Sequence, residues 1–174
     1  MHEAMETANG ICISYQWPKM IIMEDCVFCK IVRGEAGSFK IYEDDEYLAI
    51  LDIYPNIKGQ TLVIPKRHLS GYAFDLTDEE LCKLMSVSKK VAKMLENALK
   101  VKRVHMVLEG TAINHLHAKL YPAIGMKSKE EVYWLNETVY LDRYEGYVTT
   151  KPGPKASNEE LEKLKNMIVE KNKR

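Results

Sequence analysis

In the run Ile113-Asn114-His115-Leu116-His117-Ala118-Lys119-Leu120-Tyr121, three basic side chains stand at alternate positions. Alternate side chains of a strand share a face, so His115, His117 and Lys119 project together, about 6.7 Å from one to the next. Leu116, Ala118 and Leu120 face the other way and are available to cover a helix. Three such cations repel one another, and an anion, a metal or solvent must offset that. A solvated sheet face is the plain alternative. The chemical reading is nucleophilic: a neutral imidazole attacks phosphorus at pH 7 without first losing a proton. Its second nitrogen must then be held by an acceptor, such as a backbone carbonyl, that fixes the tautomer.

A second constellation is Cys26-Val27-Phe28-Cys29. Two thiolates at this spacing chelate one Zn2+ from a single turn, and a closed tetrahedron needs two further ligands. His68 and His115, two of the five histidines, are candidates for them. The rival is a redox pair with a thiol activated at a helix N-terminus, but nothing after Cys29 forms a thioredoxin-like β-α-β pattern. Asp52 is the third candidate: a carboxylate beside apolar side chains needs hydrogen-bond donors. A turn-capping Asp ahead of Pro55 is the alternative.

The elements that must position these residues are legible in part. Lys40–Glu43, Glu46–Ile53 and Gln60–Pro65 are β-rich, with Asp44-Asp45 as a hairpin turn and 55–59 as a longer connection. Thr77-Asp78-Glu79-Glu80 is a capping box. Leu81, Leu84, Met85, Val91, Met94, Leu95 and Ala98 then repeat at helical spacing, which predicts a core-facing helix to about Lys100. Cys82 on that helix has no chemical duty. Arg103–Glu109 and Ile113–Tyr121 are two further strands joined by a short turn at Gly110. Past Pro122, Val139-Tyr140-Leu141 and Gly146–Thr150 look extended, Lys151-Pro152-Gly153-Pro154 is a stiff break, and Ser157-Asn158-Glu159-Glu160 caps a last helix. Strands split by one long helix indicate an α+β domain with an antiparallel sheet. The expected organisation is an arm over 1–22, a disordered segment or upstream start; a domain over 23–125; and a C-terminal extension over 126–174 ending in a helix.

Composition narrows the function. Twenty-five basic residues against 25 acidic ones leave a formal net charge of +0, which gives generic nucleic-acid binding no electrostatic support. No apolar run approaches a bilayer span, so no transmembrane helix is expected. Four cysteines do not make a secreted disulfide scaffold and suit a reducing cytoplasm.

Together these blocks resemble the histidine triad (HIT) superfamily from Cys26 to about Pro122. The carriers are Cys-Val-Phe-Cys-Lys-Ile-Val-Arg-Gly-Glu at 26–35, Tyr-Glu-Asp-Asp at 42–45, Leu-Ala-Ile-Leu-Asp-Ile at 48–53, Gly-Gln-Thr-Leu-Val-Ile-Pro-Lys-Arg-His at 59–68, and the His-x-His strand. The resemblance implies a HIT-like α+β fold with a five-stranded antiparallel sheet and one long helix. It also implies a homodimer, with the Thr77–Lys100 helix and the Arg103–Glu109 strand at its interface. Such proteins bind nucleotides and transfer or hydrolyse nucleotidyl groups. By motif position His117 would be the nucleophile, Asp52 would accept from ribose hydroxyls, and Phe28, Ile31, Ile50, Ile53 and Leu62 would line the base pocket. Ile31, Ile50 and Leu62 also read as simple core positions. Cys26, Cys29, His68 and His115 would share a structural Zn2+.

The chain departs from the usual pattern at several polar positions. Lys119 replaces the third His, Gln60 stands where a His commonly follows Gly, and Leu108 replaces an Asn. The loop after Leu108 lacks the Gly-Gln segment that cradles phosphate. As a compact, permanent cation, Lys119 would steady phosphate oxygens and favour leaving groups that need no proton, such as pyrophosphate or a nucleoside polyphosphate, over amines. The expected function is a nucleotide hydrolase or nucleotidyltransferase working through a covalent nucleotidyl-His117 on a nucleotide or nucleotide-containing small molecule. The alternatives are a nucleotide-binding module without turnover and a zinc-stabilised interaction protein.

Overall fold

The structure, a computed structural model, describes residues 26–132, 137–144, 157, 159 and 161. The chain divides into two compact units, Met1–Lys129 and Glu130–Arg174. In the second, the backbone of Leu161 donates to the Ser157 carbonyl at 3.1 Å, and Val139, Tyr140 and Leu141 form no strand. The arm over 1–22, the segment Gly146–Thr150 and the Lys151–Pro154 break lie outside the described residues, as does most of the expected terminal helix. Among the described residues no helix is long and apolar enough to cross a membrane.

The first unit runs α1 (Val27–Val32), β1 (Lys40–Glu43), β2 (Tyr47–Leu51), β3 (Thr61–Pro65), a 3-10 turn (Ala73–Asp75), α2 (Asp78–Leu99), β4 (Val104–Leu108) and β5 (Ala118–Pro122). The strands form one antiparallel sheet in the order β1-β2-β3-β5-β4. Asp44 makes the first hairpin: its Oδ1 accepts from the N–H groups of Glu46 (3.0 Å) and Tyr47 (2.7 Å).

The pleat sorts the sheet into two faces. Tyr47, Ala49, Val63, Ala118 and Leu120 pack with Leu84, Val91 and Leu95 of α2 into the main core, which Leu116 joins. On the opposite face Leu48, Ile50, Leu62 and Ile64 pack with Phe28 and Ile31 of α1. The helix α2 begins as its sequence predicts. Thr77 Oγ1 accepts from the Glu80 N–H at 3.3 Å, and Glu80 accepts from the Thr77 N–H at 2.9 Å, satisfying two end groups.

Three expectations are corrected. Met85 and Met94 are 42% and 39% exposed, and Ala98 is exposed as well. The buried row is instead Leu84, Ser88, Val91 and Leu95, a narrower stripe in which a polar Ser takes a core position. The last strand begins at Ala118, because residues 113–117 bend: the His115 N–H closes a three-residue turn onto the Ile113 carbonyl at 2.8 Å. His115 and His117 therefore precede the strand. The solvated-face alternative also fails, since both are buried, at 0% and 4% exposure.

The 109–117 connection is clamped to the loop after β3. Gly71 donates its N–H to Asn114 Oδ1 at 2.9 Å, and a Cβ on Gly110 would overlap the Gly71 carbonyl. Only glycine permits this approach of two backbones. Gly110→Ala is expected to destabilise the protein by about 1–3 kcal/mol, read as a lower urea midpoint, whereas Gly37→Ala, where the added carbon meets nothing within 4 Å, should leave the midpoint within experimental error.

Candidate functional site

Four sequence-separated residues converge where α1 meets the end of β3. The ligand atoms of Cys26, Cys29, His68 and His115 lie within 4.8 Å of one another. Cys26 Sγ is 3.3 Å from His115 Nδ1, Cys29 Sγ is 3.3 Å from His68 Nδ1, and Cys29 Sγ is 3.6 Å from His115 Nδ1. A tetrahedral Zn2+ with ordinary Zn–S and Zn–N bonds places sulfur and nitrogen ligands about 3.6 Å apart, so the donor set fits a metal.

The tautomer fits as well. His115 Nε2 is 2.9 Å from the Pro65 carbonyl, which only accepts, so Nε2 carries the proton and Nδ1 offers its lone pair to the cluster. Burial pushes the His115 pKa down to about 4, which keeps the ring neutral. Burial, and then the bond to Cys26, pushes the Cys29 thiol up to about 11. A thiol so placed stays protonated at neutral pH unless a cation stabilises its thiolate, which is the opposite of an activated redox cysteine.

Beside this cluster, His117 Nδ1 donates to the His115 carbonyl at 2.8 Å. Its neutral ring therefore presents the Nε2 lone pair, and burial, with Lys119 adding to it, holds its pKa below the ordinary imidazole value. Phe28 packs edge-on against both histidines, at centroid distances of 5.6 Å to His115 and 5.1 Å to His117. Phe28, Ile31, Ile50 and Leu62 belong to the buried cluster on this face. Ile53 does not: it is 67% exposed, because the chain leaves β2 at Leu51 and turns outward.

Lys119 sits opposite Leu62 of β3 and Val107 of β4, on the face it shares with Ile50, the partner of Leu62. Its Nζ donates to Glu109 Oε2 at 2.8 Å. Burial opposes the lysine charge, but the bond and charge of Glu109 outweigh it and raise the pKa. The other Glu109 oxygen accepts from the Thr111 N–H at 3.0 Å and from the Thr111 hydroxyl. Asp52 Oδ1 caps its own turn by accepting from the Tyr54 N–H at 2.9 Å, and Oδ2 accepts from Gln60 Nε2 at 2.6 Å. Gln60 Oε1 in turn accepts from the Asn56 N–H at 2.7 Å. Gln60 thus braces Asp52 and the β2–β3 loop. Leu108 packs against the α2-side core, away from these groups.

Sequence reasoning alone missed α1, Asn114 and above all Glu109. The signal for Glu109 was present: a lysine on a crowded basic face asks for a nearby carboxylate, and Glu109 is the acid in the preceding connection.

The HIT domain family model matches residues 33–122, just over half of the chain. An uncharacterized HIT-like protein of Methanocaldococcus jannaschii is 36% identical over 101 residues, covering 56% of this chain and 78% of its own length. The adenosine 5'-monophosphoramidase of Saccharomyces cerevisiae is 33% identical over 119 residues, covering 68% of this chain and 75% of its own. Among solved structures, a member of the HIT family from Bacillus subtilis matches with a TM-score of 0.58 at 27% identity, covering 84% of this chain and 96% of that one. A hypothetical histidine triad nucleotide-binding protein from Sulfolobus tokodaii matches with a TM-score of 0.53 at 30% identity, covering 83% and 90%.

Proposed function

The chain belongs to the HIT domain family, and on that premise we propose that it is a nucleotide hydrolase or nucleotidyltransferase acting through a covalent nucleotidyl intermediate on His117. One observation carries the reading. The 2.8 Å bond from His117 Nδ1 to the His115 carbonyl fixes the tautomer whose Nε2 is a nucleophile at neutral pH. The similarity to a monophosphoramidase supports it.

In the first half-reaction the Nε2 lone pair forms a bond to phosphorus while the bond to the departing group breaks. That group leaves with the bonding electrons and takes a proton from solvent. The ring keeps its Nδ1 proton and becomes cationic, a charge that the Glu109 and Asp52 carboxylates favour. Water or an acceptor hydroxyl then attacks the same phosphorus and gives its proton to solvent. The P–N electrons return to Nε2, and neutral His117 is restored. The Lys119 ammonium steadies the nonbridging phosphate oxygens.

Asp52 accepts from the ribose: each of its oxygens keeps a lone pair beyond the bonds to Tyr54 and Gln60. Phe28, Ile31, Ile50 and Leu62 bound the base site, with Ile53 at its exposed margin. Cys26, Cys29, His68 and His115 hold a structural Zn2+, which when bound supplies a cross-link between α1 and the sheet and takes no part in the reaction. The reading places the protein in the cytoplasm, where reduced thiols remain available to a metal. It also makes the protein a homodimer joined along β4, an edge strand whose outer ladder calls for a partner, and along α2.

Rapid quenching after mixing with a nucleoside phosphoramidate should trap a nucleotide on the wild-type chain and none on His117→Ala, with turnover abolished in the variant. Nucleotide binding without adduct or turnover would leave a binding module. Protein purified without added zinc should carry about one zinc per chain, and chelation should lower its melting temperature. A content under about a third of a zinc per chain opposes a structural site. Light scattering at micromolar concentration should give twice the 20.1 kDa chain mass, and a persistent monomer would overturn the assembly.

A further inference from the structure

A lysine beside a phosphate site ordinarily attracts anions, and an isolated Lys119 would draw in polyphosphate chains. The structure gives that lysine a fixed counter-ion. Glu109 meets it at 2.8 Å, with the two side chains 23% and 13% exposed, so water screens the pair only partly. The carboxylate is not free to swing away when a substrate arrives. Its second oxygen is held by the Thr111 N–H at 3.0 Å, and Thr111 follows Gly110, which is locked against Gly71.

A second carboxylate, Asp52, is anchored on the same side by Gln60. Lys119, Glu109 and Asp52 all act on His117, one positive and two negative. The nucleophile therefore works in a field without net positive charge. Such a field tolerates the single charge of a phosphodiester-like or amidate phosphate, whose oxygens meet the remaining Lys119 donors. It penalises each further phosphate on the departing side.

We propose that Glu109 is the specificity-determining residue of this site: by pairing with Lys119 it confines the site to nucleotides with one phosphate whose departing side is neutral or cationic, and rejects polyphosphates. The proposal rests on the nucleotidyl reading of His117 and reverses the leaving-group preference expected of an unpaired Lys119. Glu109 acts through Lys119 and through its own charge, so its signature is a change in selectivity.

The test is equilibrium binding, which needs no turnover. Adenosine and guanosine 5'-monophosphates are titrated against their triphosphates without added magnesium. The wild type should bind the monophosphate of its preferred base about tenfold or more tightly than the triphosphate, and this preference should shrink as salt rises from 50 to 500 mM. Glu109→Gln should erase most of the preference by improving triphosphate affinity, while Glu109→Asp should retain it. Wild-type protein that binds triphosphate as tightly as monophosphate overturns the proposal without needing any variant. A preference unchanged in a folded, zinc-loaded Glu109→Gln also overturns it. If the preference holds but no adduct forms on His117, the covalent mechanism falls and the charge selection stands. If neither class of nucleotide binds, the nucleotide reading fails, and this proposal with it.

Discussion

His115 uses every polar group it has, and the site is arranged around that fact. Its ring Nε2–H is spent on the Pro65 carbonyl at 2.9 Å, its Nδ1 faces the two cysteine sulfurs at 3.3 and 3.6 Å, and its carbonyl holds the Nδ1–H of His117 at 2.8 Å. Complete burial makes a charged ring costly and keeps the imidazole neutral. A neutral imidazole has one donor and one acceptor, so fixing the donor on Pro65 determines which nitrogen serves the cluster. The backbone that carries this locked side chain also sets where the His117 ring points. The position of β3 is thereby transmitted, through one residue, to both the Cys/His cluster and His117.

The helix α1 is the element that needs this arrangement most. Six residues cannot sustain a helix in water on their own propensity. What holds α1 is tertiary: Phe28 and Ile31 are buried against β2 and β3, and Cys26 and Cys29 meet the two histidines at its start. Because Phe28 lies edge-on to both His115 and His117, any shift of α1 is felt at His117. The other face of the sheet is a conventional apolar layer under α2. It gives the strands a stiff backing and contributes no reactive group.

These two faces differ in how far the sequence discloses them. β-rich composition bounded by turn residues, and the capping box, suffice for β1, β3 and the start of α2, because each signal arises within a few neighbouring residues. The Met85 and Met94 expectation fails because periodicity locates a helical face only coarsely, and the buried row takes Ser88 instead. The bend at 113–117 escapes notice because alternation persists through it: His115 and His117 still oppose Leu116 and Ala118 without lying in a strand. At the site, the Cys/His set and His117 are visible as residue types at telling spacings. Their partners are not, since Pro65, Glu109 and Gln60 act through contacts between segments far apart in the chain or through an ordinary-looking loop.

Gln60 and Lys119 are each bound to a carboxylate of their own, Asp52 and Glu109. Gln60 supplies two bonds, to Asp52 and to the Asn56 backbone, where an imidazole has a shorter reach and one fewer donor. Lys119 brings a permanent charge that its half-buried surroundings disfavour, and Glu109 offsets it. On the proposed function, the outcome is two carboxylates beside a neutral His117, an arrangement that would discourage an approaching polyanion. In the proposed intermediate, with phosphorus on Nε2, the two carboxylates would act in the opposite sense, because both favour a cationic His117 ring. A field that weakens ground-state binding of anions and stabilises the cationic intermediate lowers the climb between the two states. Carboxylates beside the proposed phosphate site, unfavourable when only binding is considered, are thus consistent with catalysis by differential binding.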